Sequence, residues 1–359
     1  MRTTRRAMLA TTAGALPALA AVPALGDQPP AAAGGRDSLG LVIHSFPVRS
    51  VGDRDRRAVD RFSDPIRFLD HARSLGARGV QVGVGARDEA GARTLRDRAE
   101  AASMFLEGIV SLPRDAADLG RFEAEIRTAK QAGIEVVRTV MLSGRRYETF
   151  ATIAAFRRFA EASAIALGLA APVVARHGIL LAVENHKDWR ADELLAILKR
   201  TGNDHVGVCL DTGNSIALLE DPMEVVEALA PRAFTTHFKD MGLEDYREGF
   251  LLAEVPLGTG VLDLPRVVRI LRSARPGIRF NVEMITRDPL KVPCLTDRYW
   301  MTFPDLPGRH LAQALTLVRD HPPSRPLPRI GQMPRDEQLR AEDENIRRCL
   351  AFARDPLGL

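Results

Sequence analysis

From residue 39 onward the chain alternates between two patterns. Short aliphatic and β-branched runs end in polar residues, and longer stretches with helical spacing separate them. The runs Leu39–His44, Gly79–Val84, Leu106–Val110, Ile134–Val140, Ile179–Glu184, Val206–Asp211, Ala233–Phe238 and Ile278–Glu283 read as strands. Many are apolar almost throughout, as befits strands covered on both faces of a parallel sheet. Asp64-Pro65 opens a helix through Ser74, with Asp64 as its cap and Pro65 in the first turn. Further helices are predicted at Phe122–Ala132, closed by Gly133, and across Tyr147–Arg176. Others follow at Ala191–Arg200, closed by Gly202, at Pro222–Leu229 and at Leu264–Ser273.

Eight strands alternating with helices over roughly 250 residues is the count of an α/β fold of the (β/α)8 TIM barrel type. An open doubly wound sheet has the same alternation, but no glycine-rich phosphate fingerprint follows the first strand. The barrel is expected over residues 38–288. Residues 289–359 differ: proline-rich loops lead to one last helix, Arg335–Arg354, expected as an extension packed on the barrel.

The chain is 45% hydrophobic and 27% charged, which excludes a disordered polymer. Its formal charge of +4 suggests a nucleic-acid partner only until the first 26 residues are set aside. These carry Arg2, Arg5 and Arg6 and no acid, so the remainder stands at +1, and no nucleic acid is expected. Thr4-Arg5-Arg6-Ala7-Met8-Leu9 is a twin-arginine signature, followed by an alanine-rich stretch broken by Pro17 and Pro23. Residues 1–26 are therefore expected to be a twin-arginine signal peptide, and 27–37 a flexible leader. The expected location is the periplasm, or otherwise outside the cytoplasm. No other apolar run of membrane-spanning length is recognised, so no stable membrane insertion is expected after signal cleavage. Three cysteines are too few for a disulfide scaffold or a cysteine-built zinc site.

In barrels of this kind the functional residues lie at the C-terminal ends of the strands. The fifth strand ends Val183-Glu184-Asn185-His186, the sixth Leu210-Asp211-Thr212-Gly213-Asn214. The seventh ends Thr236-His237-Phe238-Lys239-Asp240, the eighth Val282-Glu283-Met284. Four successive strands thus deliver Glu184, Asp211, His237 and Glu283 to one rim. Carboxylates at the edge of a low-dielectric core are costly unless a cation accompanies them. Three carboxylates and an imidazole suit one divalent metal ion. Mn2+ is the expected cofactor, with Mg2+, Co2+ or Zn2+ as alternatives.

These segments resemble the xylose isomerase-like barrel superfamily over roughly residues 39–288, in particular the sugar phosphate isomerase/epimerase group. That group includes ketose 3-epimerases and is similar in fold to endonuclease IV. The resemblance implies that Glu184, Asp211, His237 and Glu283 are metal ligands, and that Glu184 and Glu283 are also the catalytic acid/base pair. It departs from endonuclease IV, whose zinc cluster needs further histidines. Here the second and third strands end Val84-Gly85 and Val110-Ser111, and Asn214 stands where a second ligand is required. One metal can be held, not three, and DNA repair is not expected.

Around the rim, His186, Lys239, His44 and Arg287 are candidate substrate-binding residues. Lys239 lies two positions beyond His237, on the same side of its strand, and is one of only five lysines. Asp240 is a candidate partner of a metal ligand. Trp189 fits either a sugar stack or simple packing, and Cys209 reads as a small core residue. The expected function is a divalent-metal-dependent sugar isomerase or epimerase. It would act through an enediolate on a small carbohydrate, free or oxidised, because phosphorylated sugars belong chiefly to the cytoplasm. A keto-glycoside lyase or hydrolase using the same metal and glutamates is the alternative enzyme. A metal-dependent sugar-binding protein without turnover is the alternative outside catalysis. Oligomeric state stays open.

Overall fold

The computed structural model describes residues 38–50, 62 and 64–359; the proposed signal peptide and leader lie outside them. Eight parallel strands close a barrel: β1 (Leu39–Val42), β2 (Gly79–Gly83), β3 (Phe105–Ile109), β4 (Val136–Thr139), β5 (Leu180–Glu184), β6 (Val206–Asp211), β7 (Ala233–Phe238) and β10 (Phe280–Val282). The strands neighbour one another in chain order, and β10 closes on β1 through Leu39–Phe280 to Leu41–Val282. All eight lie where the apolar runs place them, shorter by one or a few residues at several ends.

Local chemistry accounts for most helix limits. Asp64 accepts a hydrogen bond from the Ile66 amide and Pro65 occupies the first turn of Pro65–Ser74. Gly202 takes the left-handed conformation that ends Ala191–Thr201. The long predicted segment is a single turn, Arg146–Thr149, and a 25-residue helix, Ile153–His177. This helix corrects one expectation: it is long and apolar enough to cross a membrane by length and composition. In the fold it is the β4–β5 crossover, with Leu167, Ala170, Val173 and Val174 buried. The helix Glu89–Ala101 was not anticipated, because its buried stripe consists only of Ala92, Leu95 and Ala99.

A second small sheet was also missed. β8 (Asp240–Tyr246) and β9 (Gly249–Val255) form an antiparallel hairpin directly after β7, and β11 (Leu290–Val292) pairs with β9. Gly249 is required there: it has φ +150°, and a Cβ would meet the Val292 carbonyl at 2.1 Å. The final helix, Arg335–Arg354, meets the first barrel loop, where Glu342 accepts hydrogen bonds from the Val48 and Arg49 amides at 2.6 and 3.3 Å. Gly258 has φ +79° and sits so close to Phe352 of that helix that a Cβ would fall 2.1 Å from its ring.

Candidate active site

β5 and β6 end on Glu184 and Asp211, β7 carries His237 one residue from its end, and Glu283 follows β10 directly. Asp211 and His237 are register partners, as are His237 and Asn281. The barrel thereby brings the four residues together. One donor atom from each lies within 4.8 Å of all the others, and all four side chains are buried.

The donor atoms fit a cation. His237 Nε2 lies 2.7 Å from Gln81 Oε1, and an amide oxygen can only accept, so Nε2 carries the hydrogen. The other ring nitrogen, Nδ1, is buried without a hydrogen bond, 3.2 Å from Glu283 Oε1 and 3.3 Å from Glu184 Oε2. Asp211 Oδ2 is likewise buried without a hydrogen bond, although Lys239 Nζ is 2.8 Å away. Asp211 Oδ1 accepts instead from the amides of Gly213 and Asn214. An unpartnered imidazole nitrogen facing carboxylate oxygens is a ready donor set for a hard or borderline divalent ion.

The electrostatics agree. Burial opposes charge on Glu184, yet Arg138 and His237 hold it well below the usual carboxylate range. Glu283 is held low against burial by His237 and Lys239. Burial raises Asp211, an effect that Lys239 only partly offsets. Burial also works against a charged His237, but Cys209, Glu283 and Glu184 draw it well above the ordinary imidazole value. Burial pushes the Cys209 thiol up to about 11, so it is neutral and the carboxylates carry the effect. A cation entering the cluster takes over the role of the imidazole proton.

Several neighbours escaped the sequence reading. Arg138, in β4, donates from Nε to Glu184 Oε2 at 2.6 Å and also from Nη2 to the same oxygen. Asn214 donates to Glu184 Oε1 at 3.0 Å and accepts from Lys187 Nζ. Below the rim, Glu107 Oε2 accepts from Gln81, Thr235 and Asn281. The available signal was a polar residue inside an apolar strand: Gln81, Glu107, Arg138 and Asn281 all interrupt one.

The candidate substrate residues are placed unequally. Lys239 Nζ is wedged between Asp211 and Glu283, 2.5 Å from Glu283 Oε2, with Glu254 Oε1 at 3.9 Å. His44 is half-exposed, with Nδ1 3.4 Å from Glu283 Oε1. His186 is largely covered, and its Nδ1 makes no hydrogen bond. Burial, with Lys187 next, lowers its pKa to about 3, which leaves the ring neutral. Arg287 is drawn aside into a two-point contact with Glu254, at 3.1 and 2.6 Å. Asp240 does not touch His237's ring nitrogens; that place belongs to Gln81. Its carboxylate instead gathers the amides of Met241, Gly258, Gly260 and Leu262, fixing the loop after β9. Trp189 is buried and stacks on Phe159, so it packs the structure. Cys209 is fully buried, as expected.

Comparison with known proteins agrees with this architecture. A 3-oxo-isoapionate decarboxylase of Pectobacterium atrosepticum is 32% identical over 114 residues, 31% of this chain and 42% of the relative. The alignment therefore spans less than half of that protein. A crystal structure of D-psicose 3-epimerase with D-fructose superposes with a TM-score of 0.57 at 16% identity, covering 90% of this chain and all of the other. A magnesium complex of a xylose isomerase-like barrel protein from Mycobacterium smegmatis gives a TM-score of 0.53 at 18% identity, covering 77% and 97%. These identities speak for the fold. The family model described as xylose isomerase-like TIM barrel matches residues 69–302. With well over half of its length matched and the barrel closed, this chain belongs to the xylose isomerase-like TIM barrel family.

Proposed function

We propose that the protein is a divalent-metal-dependent isomerase or epimerase of a small polyhydroxylated ketone, working through an enediolate of the substrate. The observation that carries the reading is the buried Glu184–Asp211–His237–Glu283 cluster with His237 Nδ1 left free and Nε2 occupied. A divalent ion held by these four, Mn2+ by preference, supplies Lewis acidity toward the carbonyl and neighbouring hydroxyl oxygens. The remaining chemistry falls to the protein. Glu184 and Glu283 flank the imidazole, so one carboxylate can take the proton beside the carbonyl while the other returns one. Return to the opposite face of the same carbon is epimerisation; return to the adjacent carbon is isomerisation. Glu184 is fixed on both oxygens, by Asn214 and Arg138. Glu283 faces half-exposed His44, which gives its proton a route to solvent. Lys239 beside Glu283 and Asp211 can bind a substrate oxygen.

A second reading shares the same intermediate. Decarboxylation of a 3-oxo acid also leaves an enolate, and the partial relative is named for such a reaction. The test is the metal-loaded protein incubated with ketoses and 3-oxo sugar acids in D2O and followed by proton NMR. Exchange of the proton beside the carbonyl supports the isomerase reading, and release of CO2 supports the second. A protein that binds sugars with neither outcome contradicts both.

A further inference from the structure

Resting on that reading, the charges around the site define its substrate class more narrowly. Three carboxylates make up the cluster: Glu184, Asp211 and Glu283. Three cations are built against them. Arg138 holds Glu184, Lys239 lies between Asp211 and Glu283, and Lys187 reaches the same group through Asn214, whose amide is bonded to Glu184. All three cations are themselves buried, at 7%, 2% and 3% exposure respectively. The next carboxylate outward, Glu254, is matched by Arg287. Among the described residues, the three carboxylates thus already have three cationic partners, before the imidazole is counted. A dication held by the same carboxylates would compete with these cations for them, and buried positive charge left short of a partner is costly. A neutral sugar offers these cations an anion only as its enediolate forms; a carboxylate offers one already on binding.

We infer that the substrate carries a carboxylate close to its ketone, and that Arg138, aided by Lys187, receives it. Arg138 is suited to this because its planar guanidinium matches a carboxylate at two points and stays charged at every working pH. It now makes two contacts with one oxygen of Glu184. That oxygen is 3.3 Å from His237 Nδ1, so the guanidinium stands one carboxylate away from the metal position. An anion received there lies within a carbon or two of the reacting centre. This favours a carboxylate on the carbon chain over a phosphoester at its far end. Were Glu184 also to hold a cation, the guanidinium would share its partner and have donor capacity left for a substrate carboxylate. His186 Nδ1, buried without a hydrogen bond two residues beyond Glu184, is a further group for the same ligand.

The experiment compares three fragments free of stereochemical demands on the metal-loaded full chain by calorimetry: dihydroxyacetone, hydroxypyruvate and dihydroxyacetone phosphate. Hydroxypyruvate should bind at least about tenfold tighter than dihydroxyacetone, the scale of one charge-assisted hydrogen bond. Arg138→Gln should remove most of that preference, read as the ratio of the two affinities within the same protein, whatever happens to the affinity for dihydroxyacetone itself. Metal content is measured on both proteins. If the variant folds poorly, the comparison of fragments on the unaltered chain still decides. Equal binding of the two, no binding of hydroxypyruvate at millimolar concentration, or a preference unchanged in Arg138→Gln overturns the inference. Tighter binding of the phosphate overturns the carboxylate in favour of a phosphorylated sugar. Proton exchange in D2O is read in the same samples. Exchange without the preference leaves the proposed function standing and removes only the inference. The preference without exchange does the reverse.

Discussion

The side-chain oxygen of Gln81 accepts a hydrogen bond from His237 Nε2 at 2.7 Å, and that one contact decides which imidazole nitrogen faces the carboxylates. Gln81 is held in turn through its Nε2, 3.1 Å from Glu107. Glu107 is also bound by Thr235 and Asn281, so the imidazole is oriented from the floor of the barrel. Partners of this kind set both the tautomer and the direction of a metal-binding histidine.

Gln81→Leu is therefore expected to weaken metal binding by about ten- to a hundredfold while the four donors stay in place. Competition with a chelating dye measures it. Unchanged affinity would show that the imidazole orients itself without Gln81.

Removing donors directly should act more strongly. Glu184→Gln, Asp211→Asn and His237→Ala are each expected to lower the metal content of purified protein from near one ion per chain to a small fraction. Elemental analysis after dialysis reads this. Chelation of the unaltered protein should also lower its melting temperature, because an ion bound only by the folded state stabilises that state.

Glu283→Gln keeps the shape of the side chain and a carbonyl oxygen but removes the basic site. Proton exchange beside the substrate carbonyl in D2O should fall by at least about a hundredfold. Glu184→Gln should also stop net turnover, with some exchange surviving if Glu184 handles the second proton. Exchange at the unaltered rate in both variants contradicts the glutamate pair.

Glu220 provides a stability test away from the candidate metal site. Burial pushes its pKa up to about 7, with Arg190 and the Ala191 amide pulling the other way. Its folded value lies above the unfolded value of about 4.3, so its favourable contribution is complete below pH about 4.3 and lost as pH rises through about 7. Relative to Glu220→Gln, the unaltered protein should therefore lose on the order of a few kcal/mol between pH about 5 and 8. Urea unfolding of both proteins across that range checks the sign.

Export is proposed to depend on Arg5 and Arg6. Replacing both with lysine keeps the charge but should leave unprocessed protein in the cytoplasm, because a receptor reads the pair. Cell fractionation with antibody detection shows whether it does, and normal export of the double variant removes the assignment.

The sequence alone determined the barrel and its rim, and the reason is periodicity. Strands such as Leu180–Glu184 and Val206–Asp211 are buried almost throughout, so they are written as apolar runs that stop abruptly. The residue at each stop falls on the same end of the barrel, which made Glu184, Asp211, His237 and Glu283 legible one strand at a time. The antiparallel hairpin was hidden because Asp240–Tyr246 follows β7 after a single residue and reads as part of a loop. Which groups oppose the four candidate ligands was decided only by closing the barrel. Gln81 and His237 are 156 residues apart, and Arg138 and Glu184 are 46 apart. No local pattern links such pairs, because their meeting depends on strand register around a closed sheet. The same closure turned Asp240 away from the imidazole and onto the amides of Gly258 and Gly260. Residue type and alternation are local properties and survive in one dimension. The balance of buried charge is a property of the assembled interior and exists only in three.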